Sequence, residues 1–265
     1  MLDAGRRQRI VDLVEQRNGA TVTELSEYFG ISAATVRRDL LQLSEQGLIE
    51  RAHGGAVSKR PGRSYAFPEP PVLTRASVQV EEKQCIGRAA AKYVKDGEII
   101  IVNGGTTTGE MVPHLAERQD LTVITNALNI TFLLSHYPNI KVIVLGGALR
   151  HSELSMLGAL TEDALQNLRA DKLFMGTPAI HPEYGLSADD LTEVQSDRNI
   201  MAAAREIIVL ADHTKFGRIA TMRQAPMERI RRLITDAGIP ETYVTALRER
   251  GVDVEVVQVG QGRAG

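Results

Sequence analysis

The chain has a single cysteine, Cys85, in 265 residues, so no disulfide can form within it and a cysteine-built zinc module is excluded. Its six histidines are scattered, with no HxxxH pair and no HExxH run, so neither a metal site nor a cofactor is expected. Neither sign of charge is in excess: 31 Lys+Arg stand against 33 Asp+Glu, a formal net charge of −2. Such a balance gives no global pull toward nucleic acid, and any such binding must come from a local patch. No apolar run approaches the roughly 20 residues that cross a bilayer. The opening MLDAGRRQRIVDLVEQ alternates charged and apolar side chains where a signal peptide would have an apolar core. A cytoplasmic protein with no membrane partner is therefore expected. Internal repeats and low-complexity tracts are missing as well. What is present, 43% hydrophobic and 24% charged residues, suits a soluble globular protein of one large or two unequal domains.

Three regions differ in texture. Residues 1–57 hold short, dense helical patterns. Residues 58–78, SKRPGRSYAFPEPPVLTRASV, contain Pro61, Pro68, Pro70 and Pro71 with few periodic apolar positions, and they predict an extended linker. Residues 79–265 alternate strand-like apolar runs with helical stretches. The runs are Glu98–Val102, Leu121–Thr125, Ile140–Leu145, Lys172–Met175, Glu206–Leu210, Arg232–Thr235 and Val252–Val259. This alternation predicts an α/β domain on a largely parallel sheet.

In the first region, Ile10, Leu13 and Val14 predict an amphipathic helix over Arg6–Arg17, ended by Asn18-Gly19. A second helix is expected with Thr23 as N-cap, Leu25, Tyr28 and Phe29 on one face, and Gly30 as its stop. Ser32 can cap a third, running to about Gln46, with Val36, Leu40 and Leu43 buried. Two helices joined by a tight glycine turn form a helix-turn-helix pattern, and residues 47–57 read as a two-stranded wing beside it. Small residues at Ser32, Ala33, Ala34 and Thr35 allow close approach to base edges. Arg37 and Arg38 can neutralise phosphates or read guanine, and Gln42, Arg51 and His53 complete the candidate DNA contacts. Residues 1–60 carry nine basic and eight acidic residues, so charge alone does not separate this from a small helical bundle with a solvated charged face. The order of turn, cap, apolar spacing and wing favours DNA binding.

In the last region, the apolar run ending at Val102 meets Asn103-Gly104-Gly105-Thr106-Thr107-Thr108-Gly109-Glu110. Exposed backbone N–H groups with hydroxyls beside them make an anion site, although a plain strand-to-helix turn reads the same way. Gly104 and Gly109 have Walker A spacing, but Glu110 occupies the lysine position, so one phosphate or carboxylate is expected and not a triphosphate. Asn126, Gly146, Gly147 and Arg150 follow the ends of two further strands, and ligands of open α/β sheets bind outside carboxyl ends. Lys215 lies just past another strand. Tyr184–Glu193 reads as a polar loop before a helix, whose Asp189 and Glu193 either touch ligand hydroxyls or serve only that helix.

Ser32-Ala33-Ala34-Thr35-Val36-Arg37-Arg38-Asp39-Leu40, Glu45-Gln46-Gly47-Leu48 and His53-Gly54-Gly55-Ala56 together resemble the winged helix-turn-helix of DeoR-family bacterial transcription regulators. The resemblance continues through Glu82-Lys83, Gly105-Thr106-Thr107, Thr125-Asn126, Gly146-Gly147 with Arg150, Phe174-Met175-Gly176, Asp212 with Lys215-Phe216-Gly217, and Ile234-Thr235-Asp236, nearly the whole chain. It implies a repressor, less often an activator, whose C-terminal domain is similar in fold to ribose-5-phosphate isomerases and senses a phosphorylated sugar or polyol. It implies Gly105–Thr108 as the phosphate loop. Thr177–Pro182 departs from the family's usual glycine-containing run, which bears on effector identity and not on fold.

The function expected is therefore a DNA-binding repressor of a carbohydrate catabolism operon, working as a homodimer or homotetramer on duplex operator DNA. An isomerase-like enzyme is the alternative, with Asp189, Asp190 or Glu193 as general base, and an effector-free oligomeric regulator is a third.

Overall fold

The computed structural model describes residues 3–16, 19–52, 54–58 and 70–260. It divides into two compact units that part near residue 68.

The first unit runs α1 (Asp3–Gln16), β1 (Gly19–Thr21), α2 (Val22–Phe29), α3 (Ala33–Glu45), β2 (Ile49–Ala52) and β3 (Gly55–Ser58). The apolar stripes expected from spacing close on one core of Ile10, Val14, Leu25, Val36, Leu40, Leu43 and Ile49. The wing is present and has a third strand, giving an antiparallel sheet in the order β1-β3-β2. Gly55 is needed there, because a Cβ would lie 2.2 Å from the Ala20 carbonyl oxygen. Two expectations are corrected. The cap of α2 is Thr21: its hydroxyl accepts from the Glu24 N–H at 3.2 Å while the Glu24 carboxylate accepts from the Thr21 N–H at 2.8 Å, a reciprocal capping box. Tyr28 is 62% exposed, because the inward stripe passes through Val22 and Leu25. Gly30, at φ 63°, ends α2 in the left-handed conformation. Asn18 and His53 lie outside the described residues.

The second unit runs α4 (Val72–Arg75), α5 (Val80–Ala91), β4 (Ile99–Val102), α6 (Thr106–Gly109), β5 (Thr122–Thr125), α7 (Leu128–Leu134), β6 (Lys141–Val144), β7 (Ala148–Arg150), β8 (Ser155–Leu157) and α8 (Ala159–Gln166). It continues with β9 (Ala170–Met175), β10 (Ala179–His181), β11 (Gly185–Ala188), α9 (Leu191–Ala202), β12 (Ala204–Leu210), β13 (Met222–Ala225), β14 (Arg232–Asp236), α10 (Glu241–Glu249) and β15 (Asp253–Val257). The seven apolar runs are the seven strands of one parallel sheet, order β15-β14-β12-β9-β4-β5-β6, with ends shifted by no more than two residues. Alternation along each strand divides the core. Ile101, Leu173, Val209 and Leu233 face α8, α9 and α10, while Ile100, Val102, Phe174, Ile208 and Ile234 face α5 and α7. The result is a three-layer α/β sandwich, and among the described residues no helix is long and apolar enough to cross a membrane.

Two further expectations are corrected. The 58–78 stretch is not extended throughout. Val72 is buried, its N–H donates to the Ser152 carbonyl at 2.8 Å, and Arg75 pairs with Glu153. Pro71 stands where proline's fixed φ suits a helix entry. The polar loop read into Tyr184–Glu193 contains β11, fully buried between β10 and β13 in a small antiparallel sheet. A Gly-Leu-Ser-Ala strand has no alternation to show for itself, because both its faces are covered.

The capping box makes a direct test. Thr21→Ala should lower stability in urea denaturation by about 1 kcal/mol, while the exposed Thr23→Ala should change it by less than about 0.5 kcal/mol.

Candidate functional site

In the first unit, Ser32 caps α3: its hydroxyl accepts from the Thr35 N–H at 3.2 Å and lies 2.9 Å from the Thr35 hydroxyl. Ala34, Arg37 and Arg38 are exposed on the outer face, and among the described residues neither arginine has a hydrogen-bond or ion-pair partner. Gln42 is on the same helix, but its amide oxygen accepts from Arg7 at 2.5 Å, which ties it to α1. The side chain of Arg51, on β2, and all of His53 lie outside what is described. Sequence reasoning missed Asp39. It is 4% exposed and takes a two-point hydrogen bond from Arg6, at 2.8 and 3.2 Å. Its signal was position, since an acid next to Leu40 and three residues past Val36 falls at the edge of the buried stripe.

In the second unit, the sheet reverses direction of growth between β4 and β9. Strands β5 and β6 add on one side and β12, β14 and β15 on the other. Loops leaving the carboxyl ends of β4 and β9 therefore diverge, and this is the switch point at which ligands of open α/β sheets bind. The Asn103 N–H closes the last rung on the Phe174 carbonyl at 2.9 Å. The chain then turns through Gly104 and Gly105, where a Cβ would stand 3.0 Å from the Thr108 hydroxyl at a φ of 149°. Thr107 and Thr108 are buried, and the Thr108 hydroxyl has no partner among the described residues.

Beside this turn, the Asn126 amide donates to the Met156 carbonyl at 3.1 Å and the Asn129 amide to the Gly105 carbonyl at 3.1 Å. Both carboxamide oxygens are buried and, among the described residues, unpartnered. Asn129 was missed; it lies three residues beyond Asn126, in the first turn of α7.

Other expected residues serve the protein itself. Gly147 is required because a Cβ would lie 2.6 Å from the Leu157 carbonyl oxygen, a packing reason and not a ligand approach; Gly146 has open space. Arg150 donates to Glu193 at 2.5 Å and lies 3.6 Å from Asp190. The cap of α9 is Asp190, whose carboxylate accepts from the Glu193 N–H at 2.9 Å, and not the half-buried Asp189. Lys215 is half-buried in the turn His213–Lys215 after β12.

Two more groups were missed. Asp197 is buried and accepts from Asn103 at 2.9 Å and from Gln224 at 2.5 Å. Burial, then the Glu193 charge, pushes it up to about 7 against those donated bonds and Arg150. Its signal was an acid at the apolar spacing Val194, Asp197, Ile200. His213 Nδ1 meets Asp236 Oδ2 at 2.7 Å, and the His213 N–H donates to Asp236 Oδ1 at 2.7 Å. The hydrogen bond to Asp236 raises the imidazole, overcoming its burial. Burial pushes Asp236 up, but the bonds donated by His213 and by the Gly238 N–H hold it below the usual carboxylate range.

Because the folded His213 value exceeds the unfolded one, its stabilisation is complete below about pH 6.5 and is lost as pH rises through the raised folded value. The melting-temperature gap between wild type and His213→Ala should therefore be larger at pH 6 than at pH 9. An equal gap at both would show that the pair carries no linked charge.

Comparison with known proteins agrees with this division. The family model described as a DeoR-like helix-turn-helix domain matches residues 6–61, and that of the DeoR C terminal sensor domain matches residues 78–237. The HTH-type transcriptional repressor CsqR of Escherichia coli K12 is 32% identical, covering 96% of this chain and 95% of its own. The glycerol-3-phosphate regulon repressor of the same organism is 31% identical, covering 97% and 100%. The transcriptional regulator GolR of Listeria innocua is 31% identical, covering 96% and 98%. Among solved structures, a ribose 5-phosphate isomerase of Methanocaldococcus jannaschii is similar at a TM-score of 0.37 and 20% identity, over 51% of this chain and 53% of that one. Initiation factor eIF2B beta of Chaetomium thermophilum is similar at 0.40 and 16%, over 54% and 41%. The structural scores are too low to bear on function, whereas the sequence matches span both units. The chain belongs to the DeoR family of helix-turn-helix transcriptional regulators.

Proposed function

We propose that this protein is a cytoplasmic repressor of a carbohydrate catabolism operon that binds duplex operator DNA through α3 and responds to a phosphorylated sugar or polyol held at the β4 rim. It acts as a homodimer or homotetramer, the arrangement that lets paired modules read two half-sites. Support for the DNA face comes from Arg37 and Arg38, exposed and, among the described residues, unpaired on a helix whose first turn is small. Ser32, Ala33, Ala34 and Thr35 leave room for base edges, and Arg51 and His53 of the wing are the flanking contacts. Gln42 contributes only through the part of its amide that Arg7 leaves free.

The observation that carries the effector class is the pair of orphaned oxygens on Asn126 and Asn129 beside the Gly104–Thr108 turn. A buried acceptor without a donor costs about 1–3 kcal/mol, and ligand hydroxyls supply the donor. The N–H groups of Gly105, Thr106 and Thr107 and the threonine hydroxyls suit a single phosphate. Lys215 is the point charge assigned to it, with Gly146 on the open side. Arg150 and Asp189 flank the pocket, Arg150 shaping it through Glu193. A relative's name, the glycerol-3-phosphate regulon repressor, fits an effector of this kind. The catalytic alternative loses support, because two of its three candidate bases are engaged: Asp190 caps α9 and Glu193 pairs with Arg150.

Gel-shift titration against the protein's own promoter region tests the first half. Arg37→Ala and Arg38→Ala should each weaken binding by about tenfold, with a salt slope lowered by about 1 for each phosphate that is no longer neutralised. Binding that is neither salt-sensitive nor sequence-selective would refute the reading. A thermal-shift panel of phosphorylated sugars and polyols tests the second half. One compound should stabilise the wild type, by about 2.7 kcal/mol at a hundredfold excess over Kd, and Asn126→Ala or Thr107→Ala should reduce that gain. No stabilisation by any compound would leave an effector-free regulator.

A further inference from the structure

Asp197 is 6% exposed and, among the described residues, has no cation in contact; its two oxygens are met by two neutral amides. The orientation of Asn103 is set from its far side: it accepts the Gly104 N–H on Oδ1 at 2.8 Å, so its NH2 points at Asp197. Turning it over would set that NH2 against the Gly104 N–H and release the loop. Gln224 is not fixed in this way, because the Thr177 hydroxyl, 2.9 Å from its Oε1, can donate or accept and has the Ala179 carbonyl as a second acceptor at 3.3 Å. Toward Asn103, position 197 must therefore present an acceptor, whatever its far oxygen carries.

We propose that Asp197 is a positioning residue of the effector site: through Asn103, its carboxylate holds Gly104 and the turn that follows in the ligand-ready conformation. The proposal rests on reading that turn as the effector site. Its raised value means that the folded chain takes up a proton as pH falls through about 7. That proton sits on the oxygen facing Gln224, whose amide turns to accept it, so the Asn103 contact and the turn are kept on the acid side. The charges acting on Asp197 are Glu193, on its own helix, and Arg150 of β7. Strands β8 and β11 carry no charged residue, and the Arg223 guanidinium of β13 lies over the Tyr184 ring at 5.9 Å. Glu162 and Asp163 of α8, and Arg205 and Glu206 at the outer start of β12, complete the charged groups on the elements around α9.

The test uses the full chain, with hydrogen–deuterium exchange over residues 103–110 and thermal-shift titration with inorganic phosphate. Asp197→Leu, which has no acceptor, should exchange about tenfold faster in that segment and bind phosphate about tenfold more weakly. Asp197→Asn keeps an acceptor toward Asn103 and should stay within about twofold of wild type in both. Unchanged protection in Asp197→Leu, or equal loosening in Asp197→Asn and Asp197→Leu, would overturn the proposal. If Asp197→Leu does not fold, Asn103→Ala removes the same pin from its other end, and unchanged protection there overturns it. Exchange that behaves as expected in a protein that binds no phosphate would sink the effector reading and leave the positioning role intact.

Discussion

A parallel sheet brings the carboxyl ends of all its strands to one rim, and the second unit depends on that. Hydrogen bonds along seven strands fix the rim, and Phe174, fully buried, anchors its centre. Winding in two directions from β4 and β9 puts the switch point of the sheet there. Asn103, Asn126, Gly146 and Lys215 are distant in sequence and share this rim only because their strands run the same way. Strand pairing therefore does the gathering, and local chemistry at each strand end decides what the rim can hold.

In the first unit, the corresponding constraint is the Arg6–Asp39 contact between α1 and α3. Two side chains that look interchangeable with the exposed arginines of α3, Arg6 and Arg7, are bonded to Asp39 and Gln42. What remains on the outer face is Arg37 and Arg38. A net charge near zero over residues 1–60 is compatible with a basic face because the charges are not spread evenly: Asp39 is buried against Arg6, while Arg37 and Arg38 stay exposed. Burying the acid costs solvation, and the two-point guanidinium contact offsets it.

Most of the architecture was legible because it is written in periodicity. Runs such as Ile100–Val102 and Ile207–Leu210 are buried on both faces, as a parallel sheet covered by helices requires. Val36, Leu40 and Leu43 marked the inward stripe of α3 for a similar reason. What escaped was structure held by partners distant in sequence. The strand Gly185–Ala188 has no pattern of its own; β10 and β13 make it a strand. The docking of Val72–Arg75 depends on Ser152 and Glu153, which no reading of a proline-rich stretch supplies. The choice between Thr21 and Thr23 as cap turned on Glu24, three residues after the first and one after the second. At the rim, residue types were legible but roles were not. Arginine, aspartate and glutamate near strand ends suggest ligand contacts, yet Arg150, Asp190 and Glu193 satisfy one another.

The rim joins the Gly104 turn to the place where the chain enters the second unit. Gly104 sits against the Glu153 carbonyl, to which a Cβ would be 3.9 Å, and the same 152–153 segment receives the Val72 N–H and the Arg75 guanidinium. Each of these pins, like Asn103 on Asp197, is an ordinary hydrogen bond or ion pair worth about 0.5–3 kcal/mol net. Regulation by an effector needs about 1–3 kcal/mol of coupling. On the proposed reading, an anion that changes one or two pins at the Gly104 turn supplies coupling of that size to the entry segment without deforming the sheet. Apolar contacts in the same place would make the turn firmer and less responsive, since they have no acceptor or proton to exchange. A rim pinned by Asn103, Asp197, Gln224 and Arg75 has discrete alternatives within reach of a small ligand, and a buried polar network costing some stability is retained where such alternatives are needed.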